Sequence, residues 1–354
     1  MTIANTTRAA VDSAAAPETP APATPHGSGA RTRASSRLRA TRTVRALGLT
    51  VGRRILSGVL VLWGAATLTF LALHVPKGDP AIMLLGGIEA NPTPEVLAQV
   101  RAEWGFDRPI WEQYARYFGR LLSGDLGTSY QQRMPVADAI GTQLGPTVVL
   151  AFTAAAASLV IALVVSLATA KRGRVLTGIT SGAGILLASV PGFVLGIVLL
   201  FLFAALIPLF PSSGTDGIER LVLPVLTLAL PISATLIQVL RTELDEVLEQ
   251  PFILTARTRG LSVAAVKVRH ALRHALVPIA TMTGFVIANL LGGAVLIETV
   301  FSRQGIGRLA LAAVQNQDLP LVLGVVLFAA LVFVVVNFAV DVLYSALDPR
   351  LATA

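Results

Sequence analysis

Long apolar stretches alternate with polar, charged stretches along most of this chain. Six of them are apolar enough, and long enough at 1.5 Å per helical residue, to cross about 30 Å of hydrocarbon. They cover residues 55–75, 146–170, 175–210, 221–240, 276–297 and 320–344. The third is too long for one straight crossing, and Pro191-Gly192 near its middle predicts a kink. The pattern therefore predicts an all-α polytopic membrane protein with six transmembrane helices.

The polar segments differ in character. Residues 1–50 are rich in Ala, Pro, Thr and Arg with few large apolar side chains, which predicts a disordered basic tail. The first 30 residues hold no apolar run, so no cleaved signal peptide is expected. Residues 76–145 carry scattered Trp, Tyr and Phe, which predicts short amphipathic helices, some of them at the membrane interface. We expect residues 51–351 to form one transmembrane domain.

The most structured polar segment is the central loop, defined here as residues 241–275. The pattern predicts a helix over residues 242–259, running from acidic to basic as the helix dipole prefers, and a second helix after the N-cap Ser262. Gly260 between them suits a C-terminal cap. On the second helix, one apolar arc is expected at Leu261, Ala264, Ala265, Val268, Leu272 and Ala275, and a polar arc at Lys267, His270, Arg273 and His274. The pattern therefore indicates that the central loop is a helix pair with a docking face.

Composition and charge support a membrane protein. Hydrophobic residues make up 54% and charged residues 14% of the chain, whereas soluble domains are about a quarter charged. The net charge of +8 does not indicate nucleic-acid binding, because the cations lie at the ends of the apolar spans. With the N-terminus inside, the inner segments hold 19 of the 28 Lys and Arg. This bias predicts cytoplasmic N- and C-termini, a cytoplasmic central loop and an extracytoplasmic segment 76–145.

Few residues of this chain are candidates for metal binding, phosphate binding or catalysis. The chain has no cysteine, and its four histidines show no metal-ligand spacing, so no metal site is predicted. It also lacks a GxxxxGK[ST] phosphate loop and a GxSxG nucleophile motif, and no catalytic residue is predicted. We therefore expect this chain not to be an enzyme.

Few polar residues lie within the apolar spans. Glu298 and Asp341 lie close to span ends, where solvation is easy, so no ion relay is predicted. Asn289 and Asn337 lie deep in spans, where each either bonds between helices or lines a path. Paired glycines either pack helices or allow a bend. The translocation-path candidates are Asn289, Gly292, Gly293 and Asn337.

At the central loop the sequence resembles a known family. TARTRGLSVAAVKVRHALRHALVP, residues 255–278, is similar to the cytoplasmic signature loop of ATP-binding-cassette (ABC) importer permeases for dipeptides, oligopeptides and nickel. Further segments resemble the same branch, in the family's order: RRILSGVLVLWGAATLTFLALHVPKGDPA, GDLGTSY, PVADAI, ETVFSRQGIGRLALAAVQNQDLP and NFAVDVLYSALDPR. The resemblance covers roughly residues 52–351.

The loop departs from the general importer signature of EAA, three residues, Gly, nine residues and IxLP. Ala256 and Gly260 fit it, whereas Leu254 and Thr255 replace Glu and Ala, and Arg273 replaces Pro. The resemblance implies that the residues coupling the permease to an ATPase are Thr255, Ala256, Arg257, Arg259, Gly260, Leu261, His270 and Leu272.

The resemblance also implies a role. It implies the type I ABC importer permease (MetI-like) fold in the inner membrane, with a second homologous permease, cytoplasmic ATPases that bind ATP-Mg, and an extracytoplasmic substrate-binding protein. This chain itself then needs no cofactor. Peptide is favoured over nickel or another small solute, largely from the resemblance. A nickel path would favour His or Met lining, for which the fifth span offers Met282 near its cytoplasmic end. An ion-coupled secondary transporter would show charged residues near the midplane and inverted repeats, and an intramembrane enzyme a catalytic dyad at depth. The sequence shows none of these features.

Overall fold

The computed structural model describes residues 52–72, 74, 80–85 and 91–347. The chain divides into two units, Met1–Arg54 and Ile55–Ala354, and almost all described residues belong to the second. The predicted disordered tail, residues 1–50, lies outside the described residues.

The described residues are helical, apart from short connections and one isolated bridge between Thr128 and Pro135. The prediction of an all-α protein is therefore confirmed for this part of the chain. The helices are α1 Gly52–Ala72, α2 Pro80–Leu84, α3 Pro94–Trp104, α4 Ile110–Leu122, α5 Val136–Thr169, α6 Gly173–Ser189, α7 Gly192–Leu200, α8 Glu219–Val247, α9 Pro251–Thr258, α10 Val263–Val266, α11 Leu272–Val300, α12 Ile306–Gln315 and α13 Leu319–Leu347. A π-helical segment, Phe201–Leu206, extends α7, and another, Lys267–Ala271, joins α10 to α11.

Four of these helices are long and apolar enough to cross a membrane: α1, α5, α8 and α13. The bent pair of α6 and α7 makes a fifth if it counts as one span. Helix α11 has 29 residues, but many side chains in its middle lie outside the described residues. The protein is thus a multi-pass membrane protein, while six spans remain a prediction.

The kink predicted in the third span is confirmed. The two halves of this span, Val175–Ser189 and Gly192–Leu206, differ in direction by 102°. Pro191 causes the break, because it has no N–H to continue the α6 ladder and instead precedes the first residue of α7.

The structure corrects the predicted helix over residues 242–259. Helix α8 continues past the predicted end of its span to Val247, and a separate helix, α9, begins at Pro251. The proline has no N–H and disfavours helical backbone at Gln250, which is extended at φ −67° and ψ 144°. The acidic residues at the start of the central loop form an acidic cluster: Glu243, Asp245, Glu246 and Glu249. The first three lie at the C-terminal end of the membrane-spanning helix α8, and Glu249 lies in the turn that follows it.

Helix α8 is central to the packing, since it contacts α5, α6, α7 and α11. Where α5 meets α8 and α11, its buried residues are small: Ala151, Ala154 and Ala155. Small side chains let helix backbones approach closely, which is how helices associate in membranes.

Short helices precede the second span, as predicted. The hydroxyl groups of Tyr114 on α4 and Thr67 on α1 are 2.8 Å apart, and the rings of Tyr114 and Phe70 lie 5.3 Å apart in an edge-to-face arrangement. Trp111 on α4 is exposed. These contacts hold α4 against the end of α1, while its position at a membrane interface stays a prediction.

Candidate functional site

The central loop contains two short helices that meet at a left-handed glycine. Gly260 follows α9 with φ +83°, a conformation that a Cβ disfavours, and its N–H donates to the carbonyl oxygen of Arg257 at 2.9 Å. Ser262 then caps α10, because its hydroxyl oxygen accepts a hydrogen bond from the N–H of Ala265 at 3.3 Å. The turn at Gly260 and the cap at Ser262 are both confirmed.

Buried apolar side chains hold this helix pair against the transmembrane helices. We call them the loop core: Ala162, Ala170, Leu236, Leu240, Leu244, Leu248, Ile253, Ala256, Val266, Ala271, Ala275 and Ile279. Burying a large apolar side chain contributes about 1.5–3 kcal/mol, so several of them suffice to order a short segment. The central loop is therefore packed as part of the domain and is not a spacer.

The predicted apolar and polar arcs of the second helix are confirmed only in part. Leu261, Leu272 and Ala275 of the apolar arc belong to the loop core or pack against it, and Arg273 and His274 of the polar arc are exposed. Ala264 and Val268 are exposed, however, and Lys267 is only 7% exposed. The cause is the π-helical segment Lys267–Ala271, which places more residues in a turn than the α-helix assumed. The faces are rotated as a result, and Val266, Lys267 and Ala271 point inward.

The ammonium group of Lys267 contacts the C-terminal end of α5. Its Nζ donates to the carbonyl oxygens of Ala170 at 2.5 Å and Leu167 at 3.1 Å. These carbonyls lie at a helix C-terminus, where a cation is electrostatically favoured. Burial, and to a lesser extent the guanidinium group of Arg172, lower the pKa of Lys267 below its ordinary value, and the carboxylate of Asp245 offsets part of this.

A second contact joins the α5–α6 connection to the acidic cluster. The Nζ of Lys171 donates to Glu249 at 2.5 Å, and the backbone N–H of Lys171 donates to a carboxylate oxygen of Asp245 at 3.1 Å. The pKa of Glu249 is lowered and that of Lys171 is raised, in both cases mainly by this hydrogen bond. Both side chains are solvated, so the contact orients the loop and contributes little stability.

Four of the eight predicted coupling residues lie on the outer surface of the turn. Thr255, Arg257, Arg259 and Gly260 are all exposed, and the space next to Gly260 is open. All four residues are therefore accessible around the turn between α9 and α10.

The other four predicted coupling residues point inward or are partly covered. Ala256 belongs to the loop core, and Leu261 and Leu272 pack against it. His270 is half-buried, and its Nδ1 atom has no hydrogen-bond partner among the described residues. These four therefore support the surface more than they form it.

The structure describes few contacts of the four translocation-path candidates. Asn289, Gly292 and Gly293 lie on α11, but their side chains and surroundings lie outside the described residues. The side chain of Asn337 on α13 donates to the carbonyl oxygen of Phe333 in the same helix at 2.8 Å. That contact is neither interhelical nor specific to a path, so the assignment stays a prediction.

The prediction that Glu298 is easily solvated is wrong. Its side chain is fully buried, and one carboxylate oxygen accepts from the hydroxyl group of Thr147 at 2.6 Å. The other oxygen accepts from the N–H groups of Gly307 at 2.8 Å and Arg308 at 3.2 Å, at the N-terminus of α12. A carboxylate is well placed there because the helix dipole and the free N–H groups favour an anion.

Asp318 plays a similar part at the start of α13. It is fully buried, and its carboxylate accepts from the hydroxyl group of Ser129 at 2.5 Å and from the N–H groups of Gln131 and Leu321. Ser129 lies 189 residues earlier in the chain, so spacing could not predict this pair.

Comparisons with known proteins agree with this architecture. The family model of the binding-protein-dependent transport system inner membrane component matches residues 158–353, and the model of the N-terminal part of such components matches residues 49–151. The glutathione transport system permease protein GsiC of Salmonella paratyphi A is 34% identical over 300 residues, which cover 84% of this chain and 97% of that protein. A putative peptide transport system permease protein of Brucella abortus is 36% identical over 308 residues, with the same coverage.

One solved structure is also similar. It shows inward facing conformations of the MetNI methionine ABC transporter, and the match covers 59% of this chain and 96% of that chain. The identity is 18% and the TM-score is 0.45, so the family assignment rests on the sequence relatives.

Proposed function

The chain belongs to the family of binding-protein-dependent transport system inner membrane components, and we propose that it is the permease of an ATP-driven importer of di- and oligopeptides. The observation that carries this substrate class is the similarity, over 84% of the chain, to permeases named for glutathione and peptide transport. Glutathione is itself a tripeptide, so both names point to short peptides.

The proposed importer needs further subunits. The family description itself refers to a binding protein, which would deliver the solute from outside the membrane. The sequence has no phosphate-binding loop, which supports placing ATP-Mg on separate cytoplasmic ATPase subunits. A second, homologous permease would complete the path through the membrane.

The outer surface of the central loop is the proposed docking site for the ATPase. It exposes Leu254 by 66%, and Val263 and Val268 by 54% each, beside the exposed cations Arg257 and Arg259. An exposed apolar group bordered by charges is typical of a protein interaction site. On the inner side, the loop core holds the same two helices firmly, so that force on the surface reaches the transmembrane helices.

The proposed mechanism follows from this arrangement. With the termini and the central loop in the cytoplasm, two ATPases that close on ATP would draw the central loops of both permeases together. Because interfaces of packed helices switch between discrete arrangements, the spans would rock from an inward to an outward opening. Peptide released by the binding protein would then pass between the two permeases.

Gly260 offers a direct test of the docking site. Gly260→Val introduces a β-branched residue at a left-handed position, which costs about 1–2 kcal/mol, or roughly tenfold in docking affinity. Gly260→Asn is the matched control, because asparagine tolerates this conformation. We expect the valine variant to lower ATPase co-purification and peptide uptake about tenfold, with a fall of at most a few degrees in melting temperature, and the asparagine variant to keep both. Full uptake and co-purification by the valine variant would refute the docking site.

Substrate class needs a separate experiment. The complex purified with its binding protein is reconstituted in vesicles and given radiolabelled dipeptide or ⁶³Ni²⁺. We expect ATP-dependent uptake of the dipeptide and none of the nickel. Uptake of nickel alone would overturn the peptide assignment and leave the permease assignment intact.

A further inference from the structure

Helix α11 and the π-helical segment before it make hydrogen bonds to α5 at two widely separated places. At one end, Lys267 donates to the carbonyl oxygens of Leu167 and Ala170 at the C-terminus of α5. Toward the other end, Glu298 accepts a hydrogen bond from Thr147, which is the twelfth of the 34 residues of α5 and follows the internal Pro146. The two polar contacts are therefore 20 residues or more apart along α5.

The stretch of α5 between these contacts is suited to act as a stiff element. It runs from Thr147 to Thr169 without proline or glycine, which are the usual causes of helix bending. At 1.5 Å per residue it is about 33 Å long, comparable to the thickness of the hydrocarbon core. The two polar contacts thus lie roughly one membrane thickness apart.

Apolar packing joins the same two helices between their polar ends. Leu290 of α11 packs with Ala151, Ala154 and Ala155 of α5, and Ile279 shares the loop core with Ala162. Interiors packed in this way do not deform continuously, so the pair is expected to move as one body.

Each end of the pair also contacts a short helix outside the spans. Lys267 directly follows α10 of the central loop. Glu298 caps α12 through the N–H groups of Gly307 and Arg308, and Thr147 accepts a further hydrogen bond from the N–H of Ile306 at 2.9 Å. Helix α12 is thereby attached to α5 and α11 together.

We propose that α5 and α11 form one rigid body that carries movement of the central loop to α12 on the other side of the membrane, with Lys267 and Glu298 as its positioning residues. This inference rests on the proposed function, because the movement is that imposed by the docked ATPase. With the central loop in the cytoplasm, α12 would lie on the extracytoplasmic side, from which the proposed binding protein delivers solute, and it would be displaced there in step with ATP binding.

The first test uses the otherwise native complex. The chain has no cysteine, so Ala264→Cys on α10 and Ala312→Cys on α12 can be spin-labelled selectively, and both positions are exposed. The distance between the two labels is measured by pulsed electron paramagnetic resonance, without nucleotide and with trapped ATP. We expect a change below about 2 Å, the size of ordinary helix shifts. A change of about 5 Å or more would show that the two ends move independently and would overturn the proposal.

The second test breaks one contact. Lys267→Met removes the ammonium group but keeps a long side chain, and Arg269→Met, at an exposed neighbour, is the matched control. We expect Lys267→Met to lower peptide uptake about tenfold, while ATPase co-purification and basal ATP hydrolysis stay within about twofold. In this variant the label distance should differ between nucleotide states, whereas Arg269→Met should behave like the wild type. Wild-type uptake with an unchanged distance in Lys267→Met would contradict the proposal.

The outcomes separate this inference from the proposed function. If no ATPase co-purifies with the unmodified chain, the proposed function itself fails. If ATPase association and uptake are normal but the wild-type label distance varies with nucleotide, only the rigid pair is refuted. The wild-type measurement stands even if Lys267→Met does not fold.

Discussion

The carboxylate of Glu298 accepts a hydrogen bond at 2.6 Å from the hydroxyl group of Thr147, which lies 151 residues earlier in the chain. A buried carboxylate is costly to desolvate, and it is tolerated here because hydrogen-bond donors from two other elements converge on it. This pair therefore ties together the first half of α5, the end of α11 and the N-terminus of α12.

Gly305 should be indispensable next to this carboxylate. An added Cβ would overlap both carboxylate oxygens of Glu298, which cannot move because they are held by three hydrogen bonds. We expect Gly305→Ala to lower the free energy of unfolding by about 1–3 kcal/mol, measured by thermal unfolding in detergent. Gly141→Ala is the control, because Gly141 lies within α5 with open space around it and should be neutral or stabilising. Equal stability of the two variants would contradict the described packing.

Removal of the Glu298 side chain should cost more than removal of its charge. Glu298→Ala leaves the N–H groups of Gly307 and Arg308 without their acceptor, so we expect a loss of roughly 3 kcal/mol or more. Glu298→Gln keeps one oxygen toward these groups and turns its amide toward Thr147, and should lose about 1 kcal/mol. Thermal unfolding of both variants shows which one loses more stability. If the glutamine variant is as unstable as the alanine variant, then the charge of Glu298, and not the position of its hydrogen-bonding oxygen, provides the stabilisation.

Ser129 should contribute to stability although it is a small residue in a connection. Its hydroxyl group donates to the buried Asp318 and accepts from the N–H of Gln132 at 3.0 Å. We expect Ser129→Ala to lower the free energy of unfolding by about 1–3 kcal/mol. Ser123→Ala, at an exposed serine whose hydroxyl group donates to the carbonyl oxygen of Arg120 at the end of α4, should change it by less than about 0.5 kcal/mol. A neutral Ser129→Ala would mean that Asp318 is satisfied without the hydroxyl group.

The predicted orientation can be tested by single-cysteine labelling, since the chain has no cysteine of its own. Ala264 on α10 and Glu95 on α3 are both exposed, so either position should react once made accessible. We expect a membrane-impermeant maleimide to label Glu95→Cys in intact cells and Ala264→Cys only after the cells are opened. Labelling of Ala264→Cys from outside would reverse the topology and remove the ATPase-docking site from the cytoplasm.

Local patterns accounted for much of the fold. Pro191 marks the break of the third span and Gly260 marks the left-handed turn of the central loop, because each residue type restricts or frees its own backbone. Ser262 was recognisable as a cap for the same reason. The predicted helix over residues 242–259 is interrupted at Pro251, because proline restricts the backbone of the residue before it, and this effect is also local.

The sequence by itself determined where the apolar spans lie, where their helices break and which family the chain resembles, since these depend on side-chain type and on neighbours a few residues away. Only the tertiary structure decided which polar groups are buried. The π-helical segment turned Lys267 inward to the end of α5, and Glu298 and Asp318 found their partners more than a hundred residues away. Whether a charge at the end of a span meets water or a ring of hydrogen-bond donors depends on what packs beside it, and that is a property of the assembled fold.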